Sequence, residues 1–269
     1  MISEAKTMKK TLAKIKYVLV DLDGTTFIGD TPLGNVAETL QKLRDTGKKI
    51  IFIANNSSLC GEATAEKLAA LGLFHEEDYV YTSGQCAAEY VHKNYPEKTC
   101  YIVGTKHLKE EFLRNGITLT DDMPDIAVLG THTEITFEEI AKLVYAVKKG
   151  AMYIATHGDY TLLGYNVPLP DCGAFIKMLE LSSKITPDVV LGKPNEYLGK
   201  RIMTKFHCNA DEVLVIGDSL KSDIQLGINC GFYTLLVLTG ETTEKALKQS
   251  DIVPDFVLPT LDDITAYLD

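Results

Sequence analysis

Asp21 and Asp23 flank a single leucine and are followed by Gly24 and Thr25, directly after the apolar run Tyr17–Val20. Glycine lets the chain turn sharply at such a point, and threonine can hydrogen-bond locally. A carboxylate fixed there can attack phosphorus and form an aspartyl-phosphate. Its neighbour can protonate the leaving oxygen and later activate water. Two nearby carboxylates also offer hard oxygen ligands to Mg²⁺. The competing structural account is an Asx-turn closed by glycine. Gly217-Asp218 and Asp223 supply further carboxylates after Val213–Ile216. Asp218 can complete a magnesium shell. Asp223 falls near the start of the next helix, where it can cap backbone amides or hold a metal-bound water. Lys193, between Gly192 and Pro194, is a fixed positive charge able to hold phosphoryl oxygens beside a nucleophile. A lone loop lysine is ordinarily just solvated. The order of the four clusters, with Asn55-Asn56 second, argues against that simple account.

These residues need elements to hold them. Short apolar runs rich in β-branched residues recur at Tyr17–Val20, Ile50–Ala54, Tyr79–Thr82, Tyr101–Val103, Ile126–Leu129, Met152–Ala155, Val189–Leu191, Val213–Ile216 and Tyr233–Leu238. Helical stripes lie between them. Val36, Leu40 and Leu43 form one that ends at Gly47; Ile140, Leu143, Val144 and Val147 form another that ends at Gly150. Near-continuous apolar strands alternating with helices imply parallel sheets covered on both faces. In such sheets chemistry collects at the carboxyl ends of strands, which is where all four polar clusters fall. The strand ends of the middle segment, Val103-Gly104 and Leu129-Gly130, carry much less chemistry. The clusters therefore bracket a stretch that can form a separate domain.

Composition narrows the function. Of 269 residues, 45% are hydrophobic and 24% charged, as expected for a chain with a sizeable core. A net charge of −10 argues against non-specific nucleic-acid binding. It also requires a local positive source, a metal or a lysine, if the substrate is a phosphate. The six cysteines, Cys60, Cys86, Cys100, Cys172, Cys208 and Cys230, include no CxxC pair. Zinc is not expected, and their scatter suggests reduced thiols in a cytoplasm. No apolar stretch approaches a membrane span. The lysine-rich start reads as a frayed, solvated end, and a homo-oligomer is allowed.

The stretches DLDGTTFIGDTPLGNVAETLQKLRDTGKKIIFIANNSS, LGKPNEYLGKRI and VLVIGDSLKSDIQLGINCGFYTLLVLTGET together resemble the haloacid dehalogenase superfamily, in its NagD-like and p-nitrophenylphosphatase-like branch. The likeness spans nearly the whole chain. It implies an α/β fold: a Rossmann-like doubly wound parallel sheet core, residues 1–82 and 183–269, with an inserted α/β cap at 83–182. It implies Asp21 as nucleophile, Asp23 as acid/base and Lys193 as phosphate-orienting lysine. Mg²⁺ would be held by Asp21, Asp218 and the Asp23 main-chain carbonyl, with Asp223 supporting the shell. The implied activity is hydrolysis of a small phosphorylated metabolite; a phosphotransferase and a non-catalytic phosphometabolite binder are the alternatives. Two departures stand out. Relatives usually carry Thr or Ser where this chain has Ala54, so Asn55, Asn56 or Ser57 would take over contacts to the phosphate. Asp171 stands where relatives often have Gly. ATHGDYTLLG and PLPDCGAFIKMLE resemble the return from cap to core, where His157 and Asp159 read as hinge or folding residues.

Overall fold

The computed structural model describes residues 2–162 and 167–268; the last two residues of ATHGDYTLLG lie outside them. The strands, in chain order, are β1 Tyr17–Asp21, β2 Phe27–Ile28, β3 Thr31–Pro32, β4 Lys49–Ala54, β5 Tyr79–Thr82, β6 Cys100–Val103 and β7 Ile126–Leu129. They continue as β8 Met152–Ala155, β9 Thr161–Leu162, β10 Leu169–Pro170, β11 Val189–Val190, β12 Val213–Gly217, β13 Tyr233–Val237 and β14 Phe256–Leu258. All nine apolar runs are strands, within a residue or so at each end. The two stripes are the helices Val36–Asp45 and Phe137–Lys148. The second opens with a reciprocal cap: the Thr136 hydroxyl accepts from the Glu139 amide, while the Glu139 carboxylate accepts from the Thr136 amide.

The chain divides into two compact units: residues 1–53, 65–80 and 194–269, and residues 54–64 and 81–193. The main sheet has the order β14-β13-β12-β1-β4-β5. β1 pairs in parallel with β4 on one side and β12 on the other, and β13 and β14 extend the β12 side in parallel. Val18, Leu19 and Val20 of β1 and Val213–Ile216 of β12 have no exposed surface, which is why their sequences lack polar alternation. The chain runs from β1 to one side and later returns on the other, so the strand order reverses between β1 and β12. In open sheets of this kind ligands bind beyond the carboxyl ends of the strands at such a reversal. Arg44 and Asp78 form a two-pronged ion pair beside this sheet, at 3.1 and 2.6 Å, and Arg44 also donates to the Leu73 carbonyl.

The second unit carries a four-stranded parallel sheet, β11-β8-β7-β6. Leu143, Ala146, Ile176 and Leu179, from the helices Phe137–Lys148 and Cys172–Ser183, pack with Tyr153, Val103 and Leu129 of that sheet. This unit also takes in 54–64 and 183–193. The 54–58 loop bonds to Thr105, Thr131 and Thr156, and β11 pairs with β8.

The amino terminus corrects an expectation. It is not frayed but helical over Ile2–Leu12, with Met8, Thr11 and Leu12 buried. Three- and four-residue spacing puts these side chains on one face, and Lys9 and Lys10 remain exposed.

Candidate active site

In the first unit, Asp21 is the last residue of β1 and Asp218 the first after β12. Val20 lies opposite Ile216, so Asp21 and Asp218 leave adjacent strands within one residue of the same level. Asp223 comes from the short wide helical turn Leu220–Ile224 that follows. Asp21, Asp218 and Asp223 are all buried, and each turns a carboxylate oxygen toward the others, within 4.8 Å. Three converging buried carboxylates with no sulfur or nitrogen ligand suit a hard divalent cation of the Mg²⁺ type. The Asp23 side chain is not in this cluster. Asp23 is half-buried in a turn closed by bonds from the Thr25 and Thr26 amides to the Leu22 carbonyl, and it bridges to Phe27.

The surroundings hold these groups tightly. The Thr25 hydroxyl lies 3.4 Å from Asp21 Oδ2 and 3.3 Å from Asp218 Oδ1. Asp218 Oδ2 accepts from the Glu241 amide. Two glycines leave Asp218 its space: a Cβ on Gly24 would stand 2.6 Å from its Oδ2, and one on Gly240 1.9 Å. Gly24 also has φ +84°, a backbone region open chiefly to glycine. Asp223 Oδ2 accepts from the Ser219 amide, the local bond expected of a capping carboxylate.

The second unit gathers the remaining sequence candidates. Asn55 brackets the Lys193 backbone: its Oδ1 accepts from the Lys193 amide at 2.7 Å, and its Nδ2 donates to the Lys193 carbonyl at 3.0 Å. Nδ2 donates also to Asp159 at 2.9 Å. Lys193 itself is buried. Asn56 Oδ1 accepts from the Ser58 amide, an Asx-turn. Ser57 is fully buried; its hydroxyl accepts from the Thr131 amide and bonds the Thr156 hydroxyl. His157 and Asp171 form a buried pair at 3.1 Å. Burial alone would lower the His157 pKa, but the bond and charge of Asp171 outweigh it and the net direction is up. Burial likewise pushes Asp171 up, and the His157 contact with the Cys172 and Thr131 donors holds it below the ordinary carboxylate value.

Sequence reasoning missed this pair and the part played by Gly240. The available signals were His157 and Asp171 taken singly, with nothing in the sequence to join them.

Residues 18–118 match a haloacid dehalogenase-like hydrolase family model, and residues 190–264 match a second HAD-hydrolase-like model. The 5'-nucleotidase YutF of Bacillus subtilis is 30% identical over 255 residues, covering 94% of this chain and 97% of the relative. The ribonucleotide monophosphatase NagD of Escherichia coli K12 is 29% identical over 250 residues, 93% of this chain and 98% of the relative. The crystal structure of a 4-nitrophenylphosphatase from Thermotoga maritima superposes with a TM-score of 0.92 at 34% identity, covering 96% of this chain and 99% of that one. The chain therefore belongs to the haloacid dehalogenase-like hydrolases, and is an enzyme of that family. The resemblance to the NagD and p-nitrophenylphosphatase branch read from the sequence is borne out by these relatives.

Proposed function

We propose that this protein is a Mg²⁺-dependent phosphatase that hydrolyses a small phosphate monoester through a phosphorylated Asp21. The observation that carries the reading is the convergence of Asp21, Asp218 and Asp223 at the strand-order reversal. The relatives support the substrate class by their names, which include a 5'-nucleotidase, a ribonucleotide monophosphatase and acid sugar phosphatases.

In this mechanism an Asp21 carboxylate oxygen attacks phosphorus as the ester P–O bond breaks, and the leaving oxygen takes the proton of Asp23. The Asp23 carboxylate then removes a proton from water. That oxygen attacks phosphorus, the Asp21–phosphorus bond breaks, and inorganic phosphate leaves with both aspartates restored. Lys193 offsets charge on the phosphoryl oxygens, and Asn55 fixes its backbone. Mg²⁺, held by Asp21, Asp218 and the Asp23 carbonyl with Asp223 in support, would supply charge neutralisation for phosphoryl transfer.

The reading has further parts. Residues 83–182 act as an inserted cap that selects the substrate, and Asn56 and Ser57 belong to the phosphate-binding loop. The protein works in the cytoplasm: all six cysteines are unpaired, and burial pushes the Cys100 and Cys172 thiols up to about 12. Among the described residues no helix is long and apolar enough to cross a membrane.

The test is release of phosphate from p-nitrophenyl phosphate with Mg²⁺, compared between wild type and Asp21→Asn. Turnover in the first and none in a folded second is expected. Near-normal turnover by the variant would overturn the mechanism.

A further inference from the structure

Five buried residues in the second unit close a hydrogen-bonded ring. The Thr131 amide donates to Ser57 Oγ at 2.9 Å, and the Thr131 hydroxyl donates to Asp171 Oδ1 at 2.9 Å. Asp171 Oδ2 meets His157 Nε2 at 3.1 Å, and His157 Nδ1 meets the Thr156 hydroxyl at 2.9 Å. Thr156 returns to Ser57 at 3.1 Å. Ser57, Thr156 and His157 have no exposed surface; Thr131 is 2% and Asp171 4% exposed. The ring joins the loops that follow β4, β7 and β8 to the first turn of the helix Cys172–Ser183, whose Cys172 amide also donates to Asp171. Buried networks of this kind are rigid when every member is satisfied.

The ring touches the turn that carries Lys193. Gly192 has φ +71°, and a Cβ there would lie 2.7 Å from Asn55 Oδ1, 2.8 Å from the Thr156 carbonyl and 3.1 Å from His157 Cβ. The Gly192-Lys193 backbone is therefore seated on Thr156 and His157 and bracketed by Asn55. Moving the imidazole moves the floor of that turn.

We propose that the buried His157–Asp171 pair is a positioning device which, in its charged form, fixes the turn bearing Lys193. The proposal rests on the reading that Lys193 orients the phosphate. His157 and Asp171 act through Lys193 and need touch no substrate. The ring accommodates the charged form. Asp171 is acceptor-only when ionised, so His157 Nε2 must carry a proton, and an imidazolium can also donate from Nδ1 to Thr156. The charged groups acting on His157 are Asp171 and Asp159, which favour the imidazolium, and Lys193, which opposes it; the neighbouring thiol of Cys172 is held protonated by burial. Because the pKa of His157 is raised in the folded protein, the charged pair persists to higher pH than it would with an ordinary histidine. It is lost as pH rises through that raised value.

The experiment compares wild type with His157→Asn and Asp171→Asn. Three readouts are used: the kcat and KM of p-nitrophenyl phosphate across pH, amide hydrogen exchange at Lys193, and ¹⁵N signals of the His157 ring in the wild type. We expect kcat to fall about tenfold or more with a smaller change in KM, since a displaced lysine is felt most in the transition state. The wild-type alkaline loss of kcat should vanish in His157→Asn. Exchange at the Lys193 amide should speed by about tenfold in both variants, as its bond to Asn55 opens more often. In the wild type at pH 7 both ring nitrogens of His157 should be protonated. Variants that keep wild-type kcat, the same alkaline limb and the same Lys193 exchange would overturn the proposal, as would a neutral His157 at pH 7. The ring signals and alkaline limb of the wild type decide the matter even if the variants fail to fold. Absence of turnover in the wild type would instead strike at the phosphatase reading, leaving amide exchange to judge the positioning.

Discussion

Gly240→Ala tests how finely the carboxylate cluster is set, with no change to any titratable group. The added Cβ would stand 1.9 Å from Asp218 Oδ2 and 2.6 Å from its Cγ, and 2.9 Å from the Gly24 Cα. To regain ordinary contact the carboxylate must retreat by about 1.5 Å. The Gly24 backbone blocks an easy slide of the new methyl the other way. A retreat of that size breaks the bonds from the Glu241 amide and the Thr25 hydroxyl and takes Asp218 out of register with Asp21. A misplacement of about 1 Å costs roughly a hundredfold in rate when geometry carries the catalysis. Overpacking costs about 1–3 kcal/mol of stability. The assay is kcat/KM for p-nitrophenyl phosphate with a Mg²⁺ titration, beside a thermal melt. A folded variant with a loss of about a hundredfold and a weakened response to Mg²⁺ is expected. Full activity at wild-type Mg²⁺ concentrations would refute the idea that Asp218 must sit where those two glycines allow it.

Other outcomes follow from the same structure. Activity should vanish in excess chelator and return with Mg²⁺ but poorly with Ca²⁺, whose larger and looser coordination misplaces the nucleophile; full activity in chelator would contradict the metal. Ala54→Ser should raise kcat/KM by up to about tenfold, because a hydroxyl bonded to a charged oxygen is worth about 1.5–3 kcal/mol and neighbouring amides already offset part of it; steady-state kinetics at saturating Mg²⁺ decides. Arg44→Met leaves the buried Asp78 carboxylate without its cation and should cost about 2–4 kcal/mol in a denaturant titration. An unchanged midpoint would show that Asp78 finds another partner.

The parts of the molecule that could be read from sequence are those whose information is local. β1 and β12 show as unbroken apolar runs because both their faces are covered, and the first carboxylate after each run joins the buried cluster. β14 escaped because it is three residues long and lies at the sheet edge, with Val257 40% exposed. The hairpins β2–β3 and β9–β10 offer two residues per strand, too few for any period. The association of 54–64 with the second unit depends on bonds from Ser57 and Ser58 to residues 47 to 99 positions away. No window of sequence contains those partners. His157 and Asp171 were each noticed, but fourteen positions separate them, and only the fold shows that one answers the other. Gly240 looks like a turn glycine; its requirement comes from a carboxylate 22 residues earlier.

The central claim is that Asp21 carries the phosphoryl group during turnover. Its most direct test is acid quench of the wild-type enzyme mixed with substrate and Mg²⁺, followed by peptide mass spectrometry. The account predicts one phosphoryl group on the peptide containing Asp21, discharged by hydroxylamine as an acyl phosphate and missing from Asp21→Asn. Rapid turnover with no phosphorylated Asp21 peptide at any quench time, joined to an active Asp21→Asn protein, would contradict it.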